Sequence, residues 1–424
     1  MANEEQKIYV YENWSHDEPL LMGILFVSKS RGSENYSFEY DDTWLKSTSI
    51  TQFILDPNLE FYQGRQYPIH QELFGIFSDS CPDRWGQTLM KRRELIIAQK
   101  EGRKPKTLTT SDFLLGVYDE TRMGALRFKT EKNGPFLSDN EDEAVPPWAT
   151  LRDLEEASRG FETNREDNIE KWIKQLIKPG SSLGGARPKA TIQDTKGELW
   201  IAKFPSKYDE TDIGAWEKLT MELAKLCGLK VPQTSVQKFS KYGSTFLTKR
   251  FDRIGKKRIH FSSAMTLLGK IDGASAQDGS SYLDIVDFIK AYGATPNQDI
   301  HELWKRIIFN MAVSNTDDHL RNHGFLLSKK GWILSPLYDV NPIPYGDTLS
   351  LNVTDDDNRI SLPTLINFSE LIGMDSLKAK QDIKFILQTV HNNWESLAKT
   401  QKIPRESINQ VRSAFYFSNQ YNSL

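Results

Sequence analysis

Three oxygen-bearing side chains raise the first chemical question: Asp317, Asn322 and Asp339. They lie in Ser314-Asn-Thr-Asp-Asp-His-Leu-Arg-Asn322 and in Leu334-Ser-Pro-Leu-Tyr-Asp339. One carboxylate able to take a proton, beside an amide and a second carboxylate able to ligate a divalent cation, suits phosphoryl transfer. That reaction also needs a backbone cradle over phosphate oxygens and a cation upon them. Gly184-Gly185-Ala186 removes side-chain bulk, so N–H groups can approach phosphate. Lys203 stands in the apolar run Leu199-Trp-Ile-Ala-Lys-Phe204. Glu217, on the next predicted helix, is the expected carboxylate for Lys203, with Glu222 as fallback.

Spacing narrows the roles. In protein kinases four residues separate the base Asp from the metal-binding Asn. Asp317 and Asn322 reproduce that gap of four, whereas Asp318 leaves three, so Asp317 is the expected base. Asp339, two strands later, takes the place of the Mg²⁺-chelating aspartate. The plainer alternative is an Asp/Asn-rich turn with a helix cap. His319 and His323 are four apart, as in a zinc site, but Leu320 stands where a zincin has Glu. No third ligand is evident, which argues against a zinc hydrolase, and His319 is expected to brace the loop by hydrogen bonding. Arg250, Arg253, Lys256, Lys257 and Arg258 read as a solvated basic surface that an acidic partner could touch.

The surrounding elements must hold these residues. Lys7–Tyr11, Gly23–Val27 and Tyr36–Tyr40 predict short strands, and a helix is expected near Gln87–Gln99. Ile169, Trp172, Ile173, Leu176 and Ile177 recur at helical spacing up to Pro179-Gly180. Strands Ala190–Ile192 and Leu199–Phe204 flank a turn at Asp194-Thr-Lys-Gly197. A helix from about Thr211 to Gly228 follows, then strands Thr234–Phe239 and Ser244–Phe251. Beyond residue 260 the stripes Ile285, Phe288, Ile289, Tyr292 and Leu303, Ile307, Ile308, Met311 predict helices. One hairpin, Phe325–Leu327 with Trp332–Leu334, interrupts them. The expectation is an α+β, two-lobed, protein-kinase-like fold, with a sheet-rich N-terminal lobe and a mainly helical C-terminal lobe.

Several spaced segments resemble the HipA family of bacterial toxin kinases. They are Asp79-Ser-Cys-Pro-Asp-Arg-Trp-Gly86, Ser182-Leu-Gly-Gly-Ala-Arg-Pro-Lys189, Arg250-Phe-Asp-Arg253, Asn315–Asn322 and Ser335-Pro-Leu-Tyr-Asp339. The resemblance implies ATP and Mg²⁺, with transfer to a Ser or Thr of a protein. It implies a phosphate loop that includes Gly184, Gly185, Ala186, Arg187 and Lys189, and an adenine pocket lined by Lys249, Arg250 and Phe251. Asn322 and Asp339 would hold the metal, and His319 would sit beside the nucleotide. An autophosphorylated serine, Ser182 or its neighbour Ser181, and a small helix-turn-helix antitoxin of the HipB type are implied as well, with DNA contacted mainly through that partner. The expected domains are a β-rich N-terminal subdomain (1–128), a linker (129–147), a kinase N-lobe (148–252) and a helical C-lobe (253–424).

Composition limits the alternatives. The chain has 424 residues, with Lys+Arg 54 against Asp+Glu 57 and a formal net charge of −3. That balance argues against bulk attraction to nucleic acid or membrane. Two cysteines without zinc spacing and a polar start are expected of a reduced, cytoplasmic protein. A catalytically weak co-repressor acting in an antitoxin–DNA complex, or a small-molecule kinase on the same fold, are the competing functions.

Overall fold

The computed structural model describes residues 5–30, 33–47, 53–137, 145–163, 169–176 and 185–423. The chain divides into two compact units: residues 1–207 with 249–262, and residues 208–248 with 263–424.

In the first unit, β1 (Gln6–Glu12), β2 (Leu20–Ser30), β3 (Ser33–Tyr40) and a later strand form an antiparallel sheet. Alternation along β1 buries Ile8 and Val10, and aromatic residues of β3 complete the inner face, with Tyr36, Phe38 and Tyr40 buried. Gly23 is needed here, because a Cβ would lie 2.3 Å from the Glu39 carbonyl and 2.5 Å from the Phe38 ring. Helix α1 (Arg84–Lys100) begins at Asp83, whose carboxylate accepts from the Gly86 N–H. This is an N-cap, and it sets the helix start three residues earlier than the periodicity predicts. Strand β4 (Leu126–Lys129) closes the sheet on β1. Helices α2 (Leu151–Glu162) and α3 (Ile169–Leu176) follow, the latter burying Trp172, Ile173 and Leu176.

The hairpin of β5 (Lys189–Gln193) and β6 (Leu199–Lys203) comes next. Asp194 makes its turn: one carboxylate oxygen accepts from the Lys196 and Glu198 N–H groups, and the other from Trp200 Nε1. Burial would raise the Asp194 pKa, but these donors together hold its carboxyl below the usual range.

The second unit opens with α4 (Ile213–Leu226), capped by Asp212 and ended by Gly228 in the left-handed region at φ 73°. Gly214 lets α4 approach β8 (Gly243–Lys249), where a Cβ would stand 2.0 Å from the Ser244 carbonyl. Strand β7 (Thr234–Ser240) pairs with β8. The remainder is mainly helical: α5 (Tyr282–Tyr292), α6 (Pro296–Ala312), α7 (Leu362–Leu371) and α8 (Ser376–Thr400). Leu303, Ile307, Ile308 and Met311 of α6 are wholly buried, at roughly 1.5–3 kcal/mol of hydrophobic stabilisation each. The single expected hairpin is present as β9 (Gly324–Ser328) and β10 (Gly331–Leu334), with Phe325 opposite Leu334. Among the described residues, no helix is long and apolar enough to cross a membrane.

Candidate functional site

The loop between α6 and β9 is built by its neighbours. Ser314 turns the chain out of α6 in the left-handed region, at φ 50°. Its carbonyl accepts from the Ile343 N–H, and its hydroxyl donates to the Gly346 carbonyl. Asn310 of α6 then organises the loop, donating to Asp318 Oδ2 at 2.6 Å and accepting from Asn315 Nδ2 at 3.1 Å.

The two adjacent aspartates have opposite surroundings. Asp318 is buried, and its Oδ2 is met by Tyr282 Oη at 2.6 Å, Asn310 Nδ2 and His323 Nε2 at 2.9 Å. Burial alone would raise its pKa, but the His323 ring and these hydrogen bonds hold the carboxyl below the usual range. Asp317 keeps exposed surface. Enough protein surrounds its carboxyl that desolvation lifts the pKa above the usual carboxylate range; His319 opposes this, and the Asp339 and Asp318 carboxylates reinforce it. Asn322 donates its amide nitrogen to the Asp317 carbonyl at 2.9 Å. That bond fixes the amide and leaves Oδ1 without a donor among the described residues.

Asp339 is half-buried and also left-handed, at φ 56°, a conformation that costs a non-glycine residue on the order of 1 kcal/mol or more. Both flanks hold it there. Before it, buried Arg306 donates to the Ser335 carbonyl at 2.5 Å, Leu337 N–H to the Lys230 carbonyl, and Tyr338 Oη to the Arg321 carbonyl. After it, Thr220 Oγ1 of α4 donates to the Val340 carbonyl at 2.6 Å. Glu302 fixes Arg306 from one turn earlier in α6.

Of the two glutamates considered on α4, Glu217 is 2% exposed, whereas Glu222 pairs with Lys218 at 2.5 Å. The second unit therefore gathers Asp317, Asn322 and Asp339 around one loop, and carries Glu217 on α4.

The first unit holds the remaining candidates. Ser181, Ser182 and Gly184 lie outside the described residues. Gly185 has φ 102°, and a Cβ there would come 3.2 Å from Lys189 Nζ. The loop's end is fastened to the start of α1: Lys189 Nζ pairs with Asp83 at 2.9 Å, and Trp85 Nε1 donates to the Lys189 carbonyl. Trp85 N–H also donates to the Gly185 carbonyl at 3.4 Å. Burial raises the Asp83 pKa, with Lys189 pulling the other way. Lys189 faces Lys203 across the β5–β6 register. Directly opposed like charges destabilise a hairpin, and the Asp83 carboxylate offsets one of them. Ala186 and Arg187 are exposed and half-buried members of the same loop.

The basic run differs from its expected solvated state. Arg250, Arg253 and Arg258 are buried, and only Lys256 and Lys257 are exposed. Asp252 accepts from Arg250 Nε at 2.9 Å, Arg250 Nη2 and Arg253 Nη1 at 2.6 Å each, and the Gly124 N–H at 2.8 Å. The spare guanidinium donors reach the carbonyls of Thr121, Arg122 and Gly124. Arg250-Phe-Asp-Arg253 thus clamps the segment before β4, and the Arg250 side chain is committed to that clamp. Lys249 pairs with Glu198 at 2.5 Å, and the Arg250 N–H continues onto the Leu199 carbonyl. Phe251 packs against Phe261.

Brace residues also correct the sequence reading. His323 holds Asp318, while among the described residues the buried His319 Nδ1 has no hydrogen-bond partner. Among the described residues no group of three or more His, Cys, Asp or Glu could hold a metal. Tyr282, Asn310, Arg306 and Glu302 carry one sequence signal, a polar side chain on an otherwise apolar helical stripe.

The profile of the HipA-like C-terminal domain matches residues 181–397. A Sinorhizobium fredii protein with the provisional name of kinase Y4mE is 29% identical over 191 residues, 39% of this chain and 43% of the relative. The serine/threonine-protein kinase toxin HipA of Shewanella oneidensis is 24% identical over 231 residues, 46% of this chain and 52% of the relative. The chain spans about half the length of the curated relatives it matches. A solved Shewanella oneidensis structure, described as HipA, HipB and their operator DNA, aligns over 97% of this chain and 96% of its own at TM-score 0.65 and 18% identity. That likeness establishes the α+β, kinase-like fold.

Proposed function

Because this chain belongs to the HipA-like family, we propose that it is an ATP- and Mg²⁺-dependent serine/threonine protein kinase. The carrying observation is the split between the paired aspartates, with Asp318 sealed by three donors and Asp317 left exposed beside Asn322 and Asp339. Asp317 is the proposed base. An above-normal pKa makes it a better proton acceptor than an ordinary carboxylate, and a positioned base contributes roughly 10²–10⁴ in rate.

The residues fit a nucleotide-bound Mg²⁺. That ion commonly takes one or two carboxylates and keeps other positions for water and phosphate. Asp339 offers a carboxylate, and Asn322 an amide oxygen with no competing donor among the described residues. Bound metal would screen the phosphate charge; the chain's own task is to hold these oxygens and orient the attacking hydroxyl. In the first unit, Lys203 and the backbone of Gly184, Gly185 and Ala186 are the proposed phosphate contacts, with Lys189 holding the loop and Arg187 on it. Glu217 keeps the carboxylate role considered above, His319 a place near the nucleotide, and Lys249–Phe251 a backbone contribution to the adenine pocket.

By family likeness we further propose autophosphorylation at Ser182 or Ser181, a HipB-like antitoxin partner, and DNA contact through it. A phosphate adds about −1.5 to −2 charge at pH 7, which a triphosphate-binding loop should reject. Incubation with Mg·ATP followed by phosphosite mass spectrometry, alone and with cell lysate, tests the reading. Expected is phosphate on Ser182 or Ser181 and on a protein Ser or Thr, lost in Asp317→Asn. Phosphate on neither, from folded protein that binds ATP, contradicts it.

A further inference from the structure

Beside the candidate base lies a cavity of about 350 Å³ that the proposed reaction does not use. Ser275, Gln277, Thr316, Asp347, Thr348 and Asn358 line it, and Gly346 forms part of the wall. The wall cannot be bulkier, since a Cβ at 346 would stand 2.3 Å from Thr316 Cγ2. The lining is polar and contains no cationic side chain.

Its charges resolve to one. Arg359, next to Asn358, forms a two-point pair with Asp357, at 2.9 and 3.0 Å. Asp278, next to Gln277, caps its own turn through Ser275 N–H and Ser280 Oγ. Asp347 is exposed and has no Lys, Arg or His partner among the described residues. One residue before Gly346, Tyr345 is 86% exposed and held left-handed at φ 62°, with its N–H donating to Ser413 Oγ. An exposed carboxylate on a polar cavity, with an exposed aromatic two residues before it in the chain, suits a cation with an apolar stem.

Position sets the distance to the chemistry. Thr316 directly precedes Asp317, and neighbouring Cα atoms are about 3.8 Å apart. An extended polypeptide advances about 3.3–3.6 Å per residue, so a side chain within about three residues of the acceptor hydroxyl reaches the cavity. We propose that this cavity is an acceptor-side subsite that takes a Lys or Arg side chain of the protein substrate close to the phosphorylated residue. The assignment rests on the kinase reading above and adds a substrate class to it.

The test uses the full chain and serine peptides in which Lys, Ala or Glu occupies each of about three positions on either side. Phosphorylation kcat/KM and peptide Kd by fluorescence anisotropy without ATP are both measured. At one or two positions Lys should raise kcat/KM over Ala by roughly three- to tenfold and lower Kd by roughly the same factor. Asp347→Asn should abolish the difference, and Asp347→Lys should shift preference toward Glu. Asp347 is exposed, and a thermal melt verifies each variant; the unsubstituted protein already reads the preference without any variant. Peptides phosphorylated without basic preference, or a preference unchanged in folded Asp347→Asn, overturn the subsite and leave the kinase reading standing. A basic preference in Kd that depends on Asp347, with no transfer to any peptide, keeps the cavity as a site for a basic side chain but overturns the kinase reading and, with it, the acceptor-side role.

Discussion

Asp252 in the first unit and Asp317 in the second both stand in polar, charged sequence that attracts a functional interpretation. The first is surrounded by Arg250, Arg253 and the Gly124 N–H, which take both of its oxygens in a buried setting. The second keeps open surface while its neighbour Asp318 takes the bracing contacts. Residue type does not separate a clamp from a site. What separates them is whether the chain's own donors already satisfy the carboxylate.

The largest effect expected from this contrast is on stability. Asp252→Ala leaves two buried guanidinium groups without their carboxylate, at about 3–5 kcal/mol. Denaturant unfolding should show that loss, and a change below about 0.5 kcal/mol would place the clamp's strength in its carbonyl contacts instead. The clamp also has a pH signature. Burial would raise the Asp252 pKa, but Arg250 and Arg253 hold it well below the usual range. A depressed folded pKa contributes stability above the unfolded value near 3.9, lost as pH falls through the folded value. Asp252→Asn should therefore flatten the acid arm of a stability–pH curve.

Next in size is Asp318→Ala, which strands Tyr282, Asn310 and His323 and should cost about 2–3 kcal/mol in the same assay. An unchanged unfolding midpoint would erase the division of labour between the paired aspartates. The smallest effect concerns the metal. Asn322→Ala should raise the Mg²⁺ concentration needed for transfer roughly tenfold, and Asp339→Ala should raise it more, because a carboxylate brings charge that an amide lacks. Equal Mg²⁺ dependence in wild type and Asp339→Ala would remove Asp339 from the site.

Local pattern made much of this legible. Helical stripes on α6 and the turn chemistry at Asp194 and β9–β10 lie within a few residues of one another, where periodicity speaks directly. The spacing of Asp317, Asn322 and Asp339 was visible for the same reason. The bracing was not: Tyr282 meets Asp318 from 36 residues away, and Asp83 meets Lys189 from 106 away. The basic run misled because charge ordinarily reports solvation, and here carbonyls of the segment before β4 take that solvent's place. Strand β8 likewise stops at Lys249, short of the predicted Phe251, where the chain turns into the Asp252 clamp.

On the proposed mechanism, Asp317 performs chemistry and Asp318 performs support. Single-turnover phosphoryl transfer, read on Asp317→Asn and Asp318→Asn beside their unfolding midpoints, tests it directly. Asp317→Asn is expected to lose roughly 10²–10⁴ in rate with its midpoint unchanged, while Asp318→Asn lowers the midpoint. Wild-type transfer by Asp317→Asn, or a folded Asp318→Asn of full stability that no longer transfers, would contradict it.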